Sequence, residues 1–410
     1  MSELSLEVLK NAVSGSAAAF RCRRRLQPAG GPGDKVFPPT FAGAIYAIEK
    51  RHVPGRGEPV TCVLLDTVQS QANRMELALQ EAVDAGRITL PLVVVDFSEH
   101  DPTGDLEADK EANRLIEKVG RITSLQVPHR LADAILRDSE LEGVKFRRSA
   151  RGKPLNTVSL ANATPLFELC PTALVFGMWD STGPKGGLGA KFERAMVSEI
   201  VGVGAVWQED YRSRGVRRDP LEISKDVPVL RDSDDKSLLR VAEGKEKGAV
   251  KPSELNHSSV PFESPNSGLT IEYAEQTTTL SLICLRRLRF PIQGRLSPGA
   301  DQAARTVLAA LGLTAATLAF EAGVDLRSRC LLWPDGPMVW ELLDRPGEEP
   351  KKYSLTSDGA VELLKGAVDA ARRVGLQWHE EPLVLKPSAE LVKLVRLSQL
   401  VAAKETGGGS

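Results

Sequence analysis

Aromatic residues make up only 5% of the 410-residue chain, and long apolar runs are missing. The longest uncharged run, Thr306 to Phe320, is too short and too rich in threonine and glycine to span a bilayer. It is expected to be a buried helix of a soluble, cytoplasmic protein that makes no membrane contact. The five cysteines, Cys22, Cys62, Cys170, Cys284 and Cys330, form no Cys-x-x-Cys pair, so buried free thiols in a reducing compartment are expected. Metal-ligand spacing is absent among the histidines, and His379-Glu380-Glu381 lacks the second histidine of a zincin helix. No catalytic constellation, metal site or cofactor is expected. The opening residues also lack the basic-then-apolar pattern of a signal peptide, and no fixed-period repeat is visible.

An excess of positive charge is missing as well: 53 Lys and Arg stand against 54 Asp and Glu, for a net charge of -1. Phosphate neutralisation normally supplies most of the affinity for nucleic acid, so this balance argues against a nucleic-acid coat. The distribution argues the other way. Basic residues gather at Arg21, Arg23, Arg24 and Arg25, from Lys145 to Lys153, from Arg212 to Arg218, and from Arg286 to Arg295. Acidic residues gather elsewhere, at Glu99 to Glu111 and Asp232 to Asp235. A bipolar subunit is compatible with these numbers, and so are ordinary solvated faces.

Along the chain, Leu4, Val8, Leu9 and Val13 suit a short amphipathic helix, after which Ala18, Phe20 and Cys22 alternate with Arg21, Arg23 and Arg25 at the strand period. Turn formers from Pro28 to Lys35 and a returning segment with Phe37, Phe41 and Tyr46 then suggest a projecting β-arm over residues 20–62. A strand is expected at Val60 to Leu65. Asp66 with Gln69 forms a capping box opening a helix from about Thr67 to Val83, and a second strand at Leu90 to Phe97 completes a β-α-β unit. Residues 98–127 are polar and helical in pattern, and Pro128-His129-Arg130 introduces a helix. Thr172 to Trp179 reads as a strand that enters a Gly-rich loop, Asp180 to Lys191, followed by a helix through Phe192, Met196 and Ile200. Residues 231–265 are polar and read as a long loop or insertion. Thr277 to Ile292 reads as a strand, residues 301–322 as a helix, Leu326 to Trp333 and Met338 to Leu343 as strands, and residues 357–375 and 388–403 as helices. The tail, residues 404–410, ends in an artificial-looking linker. This alternation indicates an α+β sandwich of the ferredoxin-like kind, with a start at 1–19, a core over 63–230 and the remainder of the core at 266–403.

Three segments invite a binding reading. In the Gly-rich loop, glycines expose backbone N–H groups that can hold a phosphate, with Lys185 and Lys191 as point charges. A nucleotide-hydrolysing P-loop is excluded, because Gly189 is followed by Ala190 rather than by Lys and Ser or Thr. A plain connection is the alternative. Gln69, Ser70, Gln71, Asn73 and Arg74 put hydrogen-bonding groups at a helix start, where a sugar-phosphate backbone could dock or where Gln69 simply caps the helix. Arg21, Arg23 and Arg25, with Lys35 and Phe37 on the returning arm, combine phosphate attraction with a ring able to stack on a base, unless the hairpin packs on its own core.

Taken together, Val63 to Glu76, Pro128-His129-Arg130 to Ser139, Phe176 to Gly183 with Gly186, Gly187 and Gly189-Ala190-Lys191, and Val36 to Thr40 resemble the RAMP-superfamily (GSU0053-like) backbone subunit of the type I-G, formerly I-U, CRISPR Cascade complex. The resemblance runs from about residue 20 to 205. It implies a modified RNA-recognition-motif core with insertions and a projecting β-hairpin thumb, placed at 20–62 or in 231–265. It further implies a subunit that polymerises with other copies of itself and other Cascade subunits along CRISPR RNA, meeting target DNA through the guide and lacking intrinsic activity. The alternative within the same superfamily is a metal-dependent RNA endonuclease. The residues expected at RNA are Arg21, Arg23, Arg25, Lys35, Phe37, Gln69, Ser70, Gln71, Asn73, Arg74, His129, Arg130, Lys185 and Lys191.

Overall fold

A computed structural model describes residues 2–43, 45–183, 186–206, 213–217, 220–231, 239–243, 246–255, 257, 260–264 and 268–407. The elements used below are α1 (Leu6–Ser14), β1 (Ala19–Pro28), β2 (Ile48–Arg51), β3 (Val60–Asp66), α2 (Val68–Asp84), β4 (Val93–Asp96), α3 (Thr172–Phe176), β5 (Met178–Trp179), β6 (Lys191–Phe192) and β7 (Met196–Val203). After these come β8 (Ser213–Arg217), β9 (Val260–Ser264), β10 (Tyr273–Ser281), α4 (Leu282–Arg286), α5 (Pro298–Glu321), β11 (Leu331–Pro334), β12 (Trp340–Leu343), β13 (Lys351–Ser354), α6 (Ser357–Arg373), β14 (Leu383–Pro387) and α7 (Ala389–Gly407). Helices and strands are interspersed along the chain, which is the expected α+β class.

The main sheet runs β13-β12-β1-β10-β7-β3-β2 with these neighbours antiparallel, a two-residue edge strand at Ser2–Glu3 adds parallel to β13, and β11 continues alongside the end of β1. Within it, β1, α2, β7, β10, α5 and β12 follow one another in the chain as β-α-β-β-α-β, and their strands lie in the order β12-β1-β10-β7. Alternation in β1 sends Phe20, Cys22 and Leu26 into the core and Arg21, Arg23 and Arg25 to the opposite face. Phe20, Cys22, Met196 and Leu280 pack with Ala72, Met75 and Leu79 of α2 and with the apolar length of α5 in one hydrophobic cluster. Helix α5 starts on Pro298 behind the Ser297 cap and is buried along most of its length. Its apolar run is a core helix, as the sequence indicates. The strand at Val60, the helices from 68, 298, 357 and 389, and the short opening helix also fall where expected.

Several expectations are corrected. Residues 19–28 are a central strand, paired with β10 over residues 19–26 on one side and with β12 (19–21) and β11 (26–28) on the other, and not the flank of a projecting arm. Strand β4 leaves the main sheet and pairs parallel with β14 in a second sheet, so β3, α2 and β4 do not form one β-α-β unit. Thr172–Phe176 is a helix, because a short apolar run carries no periodicity to separate helix from strand. Residues 191–203 are strands and not a helix: Met196 and Ser198 are buried while Val197 and Glu199 face outward, a period of two. The expected strand at 277–292 stops at Ser281, whose hydroxyl accepts from Cys284 N and caps α4. Residues 98–127 hold one short helix, Leu106–Glu111, and Pro128-His129-Arg130 leads into a 3-10 turn and a single helical turn. Strands occur where a loop was expected around 231–265: β9 pairs with β8, and Val229–Arg231 pairs with Leu239–Val241.

Candidate nucleic-acid interface

The predicted residues fall on three surfaces. The first lies at the start of α2. The cap is Thr67, whose hydroxyl accepts from Ser70 N; Asp66, expected as the cap, is instead 1% exposed and acts as a hub. Its carboxylate accepts from Gln71 Nε2 at 2.6 Å, Arg74 Nε at 3.0 Å and Arg327 Nη2 at 3.4 Å. Gln71 is therefore turned inward, where its Oε1 accepts from Ser198 Oγ and Gln276 Nε2, and it has no surface for RNA. Arg74 also donates to Leu326 O at 2.7 Å, and Arg327 donates to Phe37 O at 3.3 Å and Leu65 O at 2.8 Å. Phe37 N in turn donates to Arg329 O, and the Arg329 guanidinium stacks 4.3 Å from the Phe37 ring centroid. The result is a network in which Arg74, Arg327 and the Phe37–Arg329 stack are tied around one buried carboxylate, with Lys35, Gln69 and Asn73 exposed and Ser70 half-buried on the segments that carry it. Arg327 and Arg329 were not anticipated, since nothing in their local pattern links them to a helix some 250 residues earlier; the separation of Arg327 from Asp66 is 261.

The second surface is the open face of the sheet, where Arg21, Arg23 and Arg25 do form a row. Carboxylates on adjacent strands occupy two of them: Arg21 meets Glu341 at 2.7 Å and Arg23 meets Glu275 at 2.9 Å. Arg25 stacks 4.3 Å from the Tyr273 ring centroid, and nearby Arg51 bonds Glu199 at 2.8 Å. This face is a checkerboard of opposite charges around a recess of about 320 Å³ lined by Arg23, Arg25, Arg51 and Tyr273.

The third surface surrounds the Gly-rich loop. Arg130, expected at RNA, is buried: it grips Glu76 through two 2.7 Å bonds and donates to Gly177 O at 3.0 Å, holding φ at +51° to do so. Burial pushes the Glu76 carboxyl above its usual range, and Arg130 draws it back. His129 remains exposed beside this brace. The loop itself is closed by Asp180 N donating to Ala190 O, and Arg147 Nη2 bonds the buried Asp180 carboxylate at 2.6 Å. Gly189 is required there, because a Cβ would sit 1.8 Å from Asp180 O. The loop leads into strand β6 rather than a helix, so no helix N-terminus faces an anion. Lys191 is exposed with its Nζ 5.8 Å from the Trp179 ring centroid; Lys185 lies outside the described residues. Trp179, more than half exposed, was missed as a site residue, although its place at the loop entrance was visible.

Fold and surfaces together give an α+β protein in which cations and one aromatic stack surround a buried carboxylate at a helix start. Residues 20–206, a little under half of the chain, are similar to the family described as CRISPR-associated protein GSU0053. The match takes in Lys35, Phe37, the start of α2 and the Gly-rich loop, and leaves out Arg327 and Arg329. No curated protein matches the chain.

Proposed function

We propose that this chain is a guide-RNA-binding backbone subunit of a type I-G Cascade complex in the cytoplasm. Several copies would lie along the CRISPR RNA beside other Cascade subunits, leaving the spacer free to pair with target DNA, so that sequence is read by pairing and the protein holds the backbone. The tie of Phe37 and Arg74 to one buried carboxylate through Arg327, with Lys35, Gln69 and Asn73 exposed on the same two segments inside the matched stretch, carries this reading. Support also comes from the strand order β12-β1-β10-β7 with α2 and α5 on one face, the arrangement of a ferredoxin-like, RNA-recognition-motif core. The ribbon of β8 and β9, which pairs with no other strand among the described residues, favours that insertion over 20–62 as the projecting element.

The reading includes no intrinsic cleavage. Asp133 is engaged in capping His129 N and Ile135 N, and Asp180 is buried against Arg147, so neither carboxylate is free for a metal in this arrangement. RNA incubated with the protein and Mg²⁺ is expected to stay intact; cleavage lost in Asp133→Ala or Asp180→Ala would overturn this. For binding, affinity for single-stranded RNA should fall linearly with log salt, and Lys35→Gln with Arg329→Gln should flatten the slope by about 0.7 per cation removed. Salt-insensitive binding, or a monomer that copurifies without RNA when coexpressed with its guide, would sink the proposal.

A further inference from the structure

We propose that Trp179 is a stacking platform for one unpaired nucleobase, with Lys191 placed beside it for that nucleotide's phosphate; this rests on the RNA-binding reading above. Trp340 and Trp378 are buried in the core, whereas Trp179 is 53% and Trp333 71% exposed. A half-exposed indole forgoes part of the hydrophobic stabilisation that burial would give, and Trp179, unlike Trp333, stands beside the Gly-rich loop with a lysine against its ring. Its backbone, by contrast, is fixed on both sides. Two residues before it, Gly177 O accepts from the buried Arg130–Glu76 pair; one residue after it, Asp180 is clamped by Arg147, which Asn156 Oδ1 holds at 2.9 Å. Across the β5–β6 ladder Trp179 stands directly opposite Lys191. A rigidly supported ring, open to solvent and flanked by one cation, matches what base stacking on single-stranded RNA requires: a preorganised π-face with a charge within reach of the adjoining phosphate. Two other exposed large apolar side chains lie near this loop among the described residues, Leu188 at 90% and Leu160, which lines a recess with Lys191, at 46%. A protein partner would bury these side chains as well, whereas a base needs only the ring.

The test uses the full chain and a fluorescein-labelled oligouridylate, with affinity measured across a salt series. Trp179→Ala is expected to weaken binding roughly fivefold to a hundredfold at unchanged salt slope, and Trp179→Phe to keep most of the affinity while preserving the packing. Lys191→Gln should reduce the slope by about 0.7. Bound RNA should also protect the Trp179 emission, taken as wild type minus Trp179→Phe, from acrylamide. If wild type binds this RNA and Trp179→Ala binds it equally well, the platform is wrong and the RNA-binding reading stands. If wild type binds no RNA, both fall. If Trp179→Ala and Leu188→Ser abolish self-association but leave RNA affinity untouched, the ring is a protein contact and the platform is overturned.

Discussion

Arg24 is the side chain in β1 that breaks the rule its neighbours follow. It points into the core, 8% exposed, with Nε and Nη2 lacking any hydrogen-bond partner and its guanidinium 4.4 Å from the Phe320 ring centroid. Desolvation pulls its pKa below the ordinary arginine value. Replacing a buried, unpaired charge with an apolar side chain of similar length removes a penalty, so Arg24→Met is expected to leave stability unchanged or raise it by about 1–3 kcal/mol in urea unfolding. The opposite holds for Glu76→Gln, which strands Arg130 and should cost about 3–5 kcal/mol, with much of that recovered in Glu76→Leu combined with Arg130→Met. Burial likewise pushes the Cys22 thiol up to about 11 and raises Cys62, Cys170 and Cys330, all buried. Only half-buried Cys284 should react with a thiol reagent in the native protein, against five thiols in denaturant. Because its pKa is also raised, it is protonated at neutral pH, and its reaction rate should climb with pH through the alkaline range. At this scale, sequence recognised the polarity of the α2 start but not the direction of each side chain. Gln71 lies four residues before Met75, on the inward stripe, so its burial was available from periodicity. The inward turn of Arg130 was not, since it follows from a positive φ that no residue type there announces.

Helices α2 and α6 were legible because a 3.6-residue pattern repeats over several turns, and α5 because its uncharged apolar run is too long for a strand. Short apolar stretches such as Thr172–Phe176 and Met196–Val203 were not, because a few residues fit either period. Pairing was less legible still: β1 reads as a good strand, but only the cross-strand partners decide whether it is a free arm or the middle of a sheet. The β8–β9 ribbon tests this directly. A two-stranded ribbon with no third strand is marginal on its own, whereas β10 is flanked by β1 and β7. Amides of Ser213–Arg217 are therefore expected to exchange with solvent orders of magnitude faster than those of Tyr273–Ser281, measured by hydrogen exchange. Equal protection would mean that the ribbon packs against the body of the molecule.

The family-matched segment is not an independent folding unit. Cutting the chain after residue 206 removes β10 from between β1 and β7, removes β12, and strips α5 from α2. A fragment of residues 1–206 is expected to show no cooperative thermal transition by circular dichroism, and a sharp one would refute the long-range architecture. That architecture was the part least visible in the sequence: the class follows from alternating elements, while the order β12-β1-β10-β7 depends on contacts such as Arg21 with Glu341, which are 320 residues apart. A comparable separation, from residue 37 to residue 329, governs the Phe37–Arg329 stack. At roughly 5–20 residues per second, a ribosome needs roughly 15–60 s to travel from one partner to the other. For that interval a growing chain displays Phe37, Lys35 and the sequence of α2 but has no Arg329 to stack on the ring, so any surface built on this stack exists only on chains already extended past Arg329.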